Sequence, residues 1–413
     1  MSRKYDLVVY GAAGFTGATT CEYIAELKDK DLSWAIAGRS QAKLNKVKND
    51  LIKIDPALET LDILLADSSQ PESLDAFLKD TKVVISTVGP FLKYGTPLVE
   101  ACIRHNTHYV DITGEYNWMK QLIDRYHTSA QANQTMIVPA CGFDSVPSDI
   151  GVFMTVDYLR NHHNLDTANV KFSLVDVVGG VSGGTLQTMT EALADTSITV
   201  KQNVDPYLLA QQRGIDKASI PTMYRDRDFP GWQAFFIMAV TNEKVVRRSW
   251  SLYAERQQSY GRLFTYKETM SFSWLPAFLI TAFVYLTPVA AVLLRFKWFK
   301  KIAQKYIVPS GGTGPTREQR AKGRFEAHII AEAETEPYDA PVRARGIVRG
   351  FSDPGYSDTC VMLTQAALSI AKDHDRLPGK QGGILTPASA FGHVLIDRLN
   401  ASRRMQLEVA TLE

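Results

Sequence analysis

The chain has 413 residues, 45% of them hydrophobic and 22% charged, enough to bury a large core and to divide into more than one domain. Lysine and arginine (46) nearly balance aspartate and glutamate (44), so the net charge of +2 gives no global reason to bind nucleic acid, and none is expected as a partner. Cys21, Cys102, Cys141 and Cys360 are scattered without a C-x-x-C pair, which argues against a disulfide framework or a zinc site.

The N-terminus, MSRKYDLVV, passes directly into an apolar run without a secretory signal, so an intracellular, non-secreted protein is expected. In YDLVVYGAAGFTGATTCEYIAEL, a buried-strand pattern breaks into Gly11, Gly14 and Gly17 and resumes at helical spacing through Cys21, Tyr23, Ile24 and Leu27. A strand, a glycine turn and a helix in this order form a dinucleotide pyrophosphate site. Gly11 permits the turn, Gly14 lets the backbone approach the phosphates, and Gly17 lets helix and strand pack closely. The spacing is G-x-x-G-x-x-G, with Ala13 where the middle glycine of G-x-G-x-x-G would stand.

LSWAIAGRS supplies a second strand, followed by Gly38, Arg39 and Ser40 where an NAD enzyme would carry a carboxylate for the ribose 2′-hydroxyl. A guanidinium and a hydroxyl suit a 2′-phosphate, so NADP(H) is the expected cofactor; the alternative for Arg39 is a solvated surface charge. LDILLAD brings Asp67 near the adenine, and KVVISTVGPF carries Thr87, Val88, Gly89 and Pro90 to the crevice. Strands near 5–11, 33–38, 61–66, 83–88, 108–113 and 135–141 alternate with helical stretches, the pattern of a doubly wound parallel sheet.

A helix over 147–163, opened by Pro147 and Ser148, leads to a second, α+β domain with strands in VKFSLVDVV, QAFFIMAV and RFEAHIIAEAET. The glycine-rich VVGGVSGGTLQTMTEAL reads as a substrate-facing loop, a sharp turn or a second anion site. The expected division is 1–146 for the dinucleotide-binding domain, 147–364 for the second domain and 365–413 for a segment returning to the first.

One stretch, about 271–301, departs from this pattern. No charge occurs from Thr269 to Leu294, Trp274 stands at one end, and Arg295, Lys297, Trp298, Lys300 and Lys301 stand at the other. A monotopic insertion, kinked or hairpin-like at Pro276 and Pro288, is expected to hold the protein on a plasma-membrane or lipid-droplet surface; the alternative is a helix buried in the core.

The combination of YGAAGFTG, AGRS, STVGPFLKYGTPLVEACIRHNTHYVDITGE, PACGFDSVPSDIGV and GGILTPASAFGHVLIDRL resembles the saccharopine dehydrogenase-like oxidoreductases, a grouping that includes the trans-acting enoyl reductases. The resemblance covers nearly the whole chain. It implies an N-terminal Rossmann sheet, an α+β substrate domain and a returning C-terminal segment. It also implies a cofactor site over Gly11, Ala12, Ala13, Gly14, Phe15, Thr16 and Gly17, with Arg39, Ser40 and Ser86 to Pro90. Saccharopine-forming enzymes carry Gly-x-Asp-Pro-Gly after the sixth strand, but here Gly142, Phe143 and Asp144 are followed by Ser145, Val146 and Pro147, which argues against an amino-acid substrate.

Nicotinamide reduction needs a proton donor near the crevice, and Tyr94 and Asp144 are the candidate catalytic residues, with Tyr116 a third residue in range. The structural alternatives are aromatic packing for Tyr94, a helix-initiating charge for Glu115 beside Tyr116, and helix capping for Asp144. His105 and His108 lack a third ligand, so no metal is expected. The expected function is NADP(H)-dependent reduction of a double bond in a lipid-like small molecule at a membrane or lipid-droplet surface, with a homodimer compatible with the pattern. The competing expectation is a lipid-surface protein that retains a nucleotide-binding fold without turnover.

Overall fold

In the computed structural model, which describes residues 3–179, 199–218, 220–293, 315–336 and 339–412, the chain forms two sheets and crosses between them more than once, first through a buried helix. β1 (Tyr5–Tyr10), β2 (Trp34–Gly38), β3 (Asp62–Leu65), β4 (Thr81–Ser86), β5 (His108–Asp111) and β6 (Met136–Val138) form a parallel sheet in the order β6-β5-β4-β1-β2-β3. The chain reverses direction between β1 and β4, which opens a crevice at the C-terminal ends of the strands. Alternation along β1 divides the core: Leu7 and Val9 face one layer, Val8 and Tyr10 the other. α1 (Phe15–Leu27) and α2 (Gln41–Ile54) lie on the first layer; α3 (Pro71–Leu78), α4 (Phe91–His105) and α5 (Tyr116–Ala132) cover the second.

α6 (Val146–His163) leads out of this sheet, and 12 of its residues are buried because it lies against a second sheet. That sheet is mixed and comprises β7 (Thr167–Val178), β8 (Trp232–Ala234), β9 (Thr265–Phe272), β10 (Arg324–Ala333), β11 (Arg343–Gly350) and β13 (Met405–Thr411), in the order β13-β11-β10-β7-β9-β8. Of the expected strand QAFFIMAV, only Gln233 and Ala234 belong to β8; the chain then turns at Phe236 and enters α7 (Ala239–Glu255). The C-terminal stretch is shared between the sheets. α9 (Thr359–Asp373) packs on α1, β1, β4 and β5, β12 (Gly383–Ile384) extends the first sheet beside β6, and β13 pairs antiparallel with β11.

The long uncharged run is divided as well. Its first residues complete β9 beside β7, and only then does α8 (Trp274–Leu293) begin, as one helix with Pro276 in its first turn, where a missing N–H costs little. Trp274, Leu275, Phe278, Leu279, Phe283, Tyr285 and Leu286 are 49–68% exposed, and Ala277 alone is buried among the described side chains of this helix. This exposure overturns the core-helix alternative for that part of the run: among the described residues the helix lies chiefly against β8 and β9 and carries most of its large apolar side chains outward. Counting the described residues alone, no helix is long and apolar enough to cross a membrane. The basic cluster Arg295, Lys297, Trp298, Lys300 and Lys301, and the glycine-rich stretch from Gly180 onward, lie outside the described residues.

The closest approach that holds the first crossover together is between Gly11 and Gly17: a Cβ on Gly17 would lie 2.2 Å from the Gly11 carbonyl oxygen. Gly17→Ala should therefore force β1 and α1 apart and cost about 1–3 kcal/mol, read as a lowered urea midpoint with an unchanged slope.

Candidate active site

The cofactor loop is built by hydrogen bonds to neighbouring strands. Gly11, at φ +90°, donates to the Ala37 carbonyl at 2.9 Å, and Gly14 donates back to Gly11 at 2.9 Å. Thr87 donates to the Tyr10 carbonyl from its backbone at 3.0 Å and from its hydroxyl at 3.2 Å, bringing Thr87 and Val88 against Gly11. α1 then begins at Phe15 with Gly14 as its N-cap, no side chain capping it and no acidic residue in its first turn. Its first N–H groups have no intrahelical acceptor, so the loop presents the positive end of a helix to an anion.

A second helix starts close by and is closed. The Glu115 carboxylate accepts from the backbone N–H of Phe91 and of Leu92, both at 2.8 Å, so the N-terminus of α4 is capped by the chain itself. Thus an incoming pyrophosphate finds free donors at α1 rather than at α4.

Arg39 is exposed just past β2, with Ser40 as the N-cap of α2. Asp67, past β3, turns its carboxylate to the Ser69 N–H at 2.9 Å and hydroxyl at 2.8 Å, and these bonds, with the Arg39 charge, hold it below the usual carboxylate range. The cradle at Gly14 is open except for the Gly11 oxygen at 3.4 Å from where a Cβ would stand. A branched residue there would occupy the space a pyrophosphate needs. An uncapped helix N-terminus, a bare glycine cradle and an exposed guanidinium at the second strand fit NADP(H).

At the far side of the crevice the loops after β5 and β6 are fastened together. The buried Asp111 accepts from Thr113 N–H at 2.9 Å, Ala140 N–H at 3.0 Å and the Tyr109 hydroxyl at 2.7 Å, and burial pushes it up to about 7. Beyond it, Phe143 N–H donates to the Thr359 hydroxyl at 3.1 Å, and the Ser145 hydroxyl donates to Asn242 at 3.0 Å. Asn242 in turn donates to Glu268 at 2.7 Å, and the Tyr266 hydroxyl donates to the other oxygen of that carboxyl at 2.8 Å. Glu268 is fully enclosed and pushed up to about 8 by burial, so it is held as a neutral acid.

Asp144 is therefore held between fixed neighbours. The residue as a whole is half-buried; its carboxyl accepts no hydrogen bond among the described residues and lies 3.1 Å from where a Cβ on Gly114 would stand. Desolvation by the surrounding protein pushes it up to about 6. It is thus not tied up as a helix cap, the structural alternative considered for it. Tyr94, in the first turn of α4, is 36% exposed with the Lys93 ammonium 5.0 Å from its ring centre, and Phe15 and Leu92, at the starts of α1 and α4, are exposed as well. The sequence gives no sign of the α7 residues that close the site. The Thr241 hydroxyl donates to the Gly114 carbonyl at 2.9 Å, and Lys244, one turn on, stands 4.6 Å from the Tyr116 ring centre. In a sequence, NEKVVRRSW reads as a solvated face, yet Lys244, Arg247 and Arg248 are all buried. Arg247 pairs with Asp216 and Glu243, and Arg248 bonds the carbonyls of Leu209 and Ile384, so neither is free for a dicarboxylate.

Because its folded value of about 6 exceeds the ordinary 3.8, the folded chain holds the Asp144 proton more tightly than the unfolded chain. The stability this contributes is complete below about pH 4 and lost as pH rises through about 6. Asp144→Asn should accordingly raise the melting temperature relative to the parent at pH 7.5, with the difference shrinking towards pH 4. A variant less stable than the parent at pH 7.5 would show that the carboxylate is paired.

A family model for the saccharopine dehydrogenase NADP-binding domain matches residues 7–138. The chain is 36% identical to a putative trans-acting enoyl reductase of Mycobacterium tuberculosis over 97% of this chain and 96% of the relative, and 34% identical to a trans-acting enoyl reductase of Mycobacterium leprae over 96% of each. The apo saccharopine dehydrogenase (L-Glu forming) of Saccharomyces cerevisiae matches over 98% of this chain and 99% of its own, with a TM-score of 0.58 at 10% identity, a likeness of fold alone. The α/β fold expected from the glycine loop and the strand pattern is thus found, and NADP(H) is the cofactor that the matched domain takes. The chain belongs to the saccharopine dehydrogenase-like, NADP-binding oxidoreductases, in the family of the trans-acting enoyl reductases.

Proposed function

We propose that this protein reduces the carbon–carbon double bond of a long-chain 2-enoyl substrate, using NADPH, while held at a membrane or lipid-droplet surface. The observation that carries the reading is the pairing of the open cofactor cradle at α1 with α8, whose apolar side chains are exposed along its described length. A row of exposed Trp, Leu, Phe and Tyr on a helix costs free energy in water and is relieved in an interfacial layer. In the sequence it is followed by Arg295, Lys297, Lys300, Lys301 and Lys305, and by no acid before Glu318, which suits anionic headgroups. The relatives' names supply the enoyl chemistry, and the protein's own residues are consistent with it.

Bound NADPH would supply a hydride. The first-turn N–H groups of α1 would hold its pyrophosphate and Arg39 and Ser40 its 2′-phosphate, with Thr87 to Pro90 lining the way to the reacting end. Asp144 would carry the proton on its carboxyl oxygen. A value of about 6 leaves a usable protonated fraction at neutral pH while keeping the acid strong enough to give the proton up. Tyr94, at the exposed rim, suits contact with the apolar part of the substrate better than proton transfer.

The test is NADPH consumption with a long-chain trans-2-enoyl thioester of N-acetylcysteamine, presented in anionic phospholipid vesicles. Turnover should be greater with vesicles than without, and the protein should float with them. Arg39→Ala should raise KM for NADPH by at least tenfold and leave that for NADH nearly unchanged, because only NADPH carries the charge that Arg39 meets. Cofactor binding without turnover of any enoyl or carbonyl lipid would favour the non-catalytic lipid-surface alternative.

A further inference from the structure

Lys244 is a lysine in the wrong place for a surface charge. It is 5% exposed, on the first turns of α7, between the segment carrying Asn203 and Asp205 and the start of α5. Among the described residues its ammonium donates to the Val240 carbonyl at 2.7 Å and faces the Tyr116 ring, and it forms no ion pair with any carboxylate. An ammonium has three donors, and burying one with a single carbonyl acceptor and a ring face leaves it under-satisfied. The charges around it are Glu243 and Arg247 on its own helix and Asp205 on the preceding segment, whose carboxylate is already engaged by Arg213. The cation is nonetheless fixed in position: Thr241, one turn earlier, is bonded to the Gly114 carbonyl beside Asp144, and Tyr116 donates its backbone N–H to that same carbonyl at 3.1 Å.

Reduction of a conjugated enoyl group creates a need for such a charge. When the β-carbon gains a hydrogen with both bonding electrons, the π pair shifts towards the carbonyl and its oxygen becomes an enolate oxyanion. Protonation at the α-carbon then restores the carbonyl, completing the addition of two electrons and two hydrogens. A donor fixed where the oxygen gains charge lowers that barrier more than it strengthens ground-state binding.

We propose that Lys244 is a further catalytic residue, its ammonium meeting the carbonyl oxygen of the substrate as that oxygen becomes an enolate, while Asp144 supplies the proton to the α-carbon. This assignment rests on the enoyl reductase reading. Desolvation brings Lys244 down to about 8, so it is cationic at neutral pH and loses its proton within a measurable range. As a lysine with a depressed value, it opposes folding until it is neutralised: stability rises as pH climbs from about 8 towards the ordinary lysine value, and Lys244→Met should fold at least as well as the parent at neutral pH.

With the full-length protein and the vesicle-borne enoyl thioester, Lys244→Met should lower kcat about 100-fold with KM changed less than threefold, and Lys244→Arg should recover at least a tenth of the parent rate. The fall in parent kcat/KM above pH 8 should move to higher pH in Lys244→Arg, which remains charged. A Lys244→Met rate within threefold of the parent, or a Lys244→Arg variant no better than Lys244→Met, would overturn the assignment and leave the enoyl reductase reading standing. A second measurement needs no variant and no turnover: trace acetylation of Lys244 followed by mass spectrometry, with and without a saturated long-chain methyl ketone bound alongside NADP+. The ketone should slow labelling at least fivefold, with the labelling midpoint near pH 8. Equal labelling in both samples would overturn the role of Lys244, whereas failure of the enoyl reductase reading would appear separately, as absence of NADPH consumption by the parent protein.

Discussion

The structure turns on the carboxyl of Asp149. This residue lies on α6, the helix by which the chain first passes from the parallel sheet to the mixed sheet, and it is completely buried. One of its oxygens accepts from the Ser249 hydroxyl on α7, and the other accepts from the Ala388 N–H at 2.7 Å in the C-terminal segment; the Thr386 hydroxyl bonds Ser249 at 2.6 Å. Three separate parts of the chain thus meet at one group. Burial pushes Asp149 up to about 7, against the pull of these donors, so the junction is held by hydrogen bonds rather than by an ion pair. Because α7 is fixed here, its N-terminal turns arrive at the loops after β5 and β6 in a set orientation, and the second domain thereby contributes to the crevice of the first.

The crevice is organised by which helix ends are left open. α1 begins without a capping side chain, and α4 begins under the Glu115 carboxylate. One positive helix end is thus available and the other is neutralised. The carboxyls of Asp111, Asp144 and Glu268 on the opposite side all sit above the usual carboxylate range because they are enclosed by protein. A set of acids with reduced charge places little repulsion near a cofactor that brings its own phosphates. Among these three, Asp144 alone lacks a hydrogen-bonded partner in the described structure and is the least buried residue, so its proton is not committed to a neighbour, the condition a proton donor needs.

Much of the parallel sheet was legible because each strand is a short apolar run bounded by a turn signal. The glycine spacing carried particular weight, since Gly11 needs a positive φ and Gly17 has no room for a Cβ. The second domain was less legible for physical reasons. β9 and α8 follow one another within a continuous uncharged run, and hydrophobicity alone has no mark for the change from strand to helix at Ser273. QAFFIMAV has strand composition, but a turn at Phe236 takes the chain into α7 instead. Glu115 looks like a charge opening its own helix, and only the fold carries its carboxylate to the start of α4. Lys244 lies in a run of charges that resembles a solvated face, and its burial depends on contacts with Tyr116 and with the segment around Leu208, far away in sequence.

The measurement that tests enoyl reduction most directly is the fate of a label. Stereospecifically deuterated NADPH would be incubated with the protein and a vesicle-borne long-chain trans-2-enoyl thioester, and the saturated product examined by deuterium NMR. One deuterium at the β-carbon and a solvent-derived hydrogen at the α-carbon are expected. Saturated product without deuterium from both the pro-R- and the pro-S-labelled cofactor, or deuterium at the carbonyl carbon of an alcohol product, would contradict hydride delivery to the double bond.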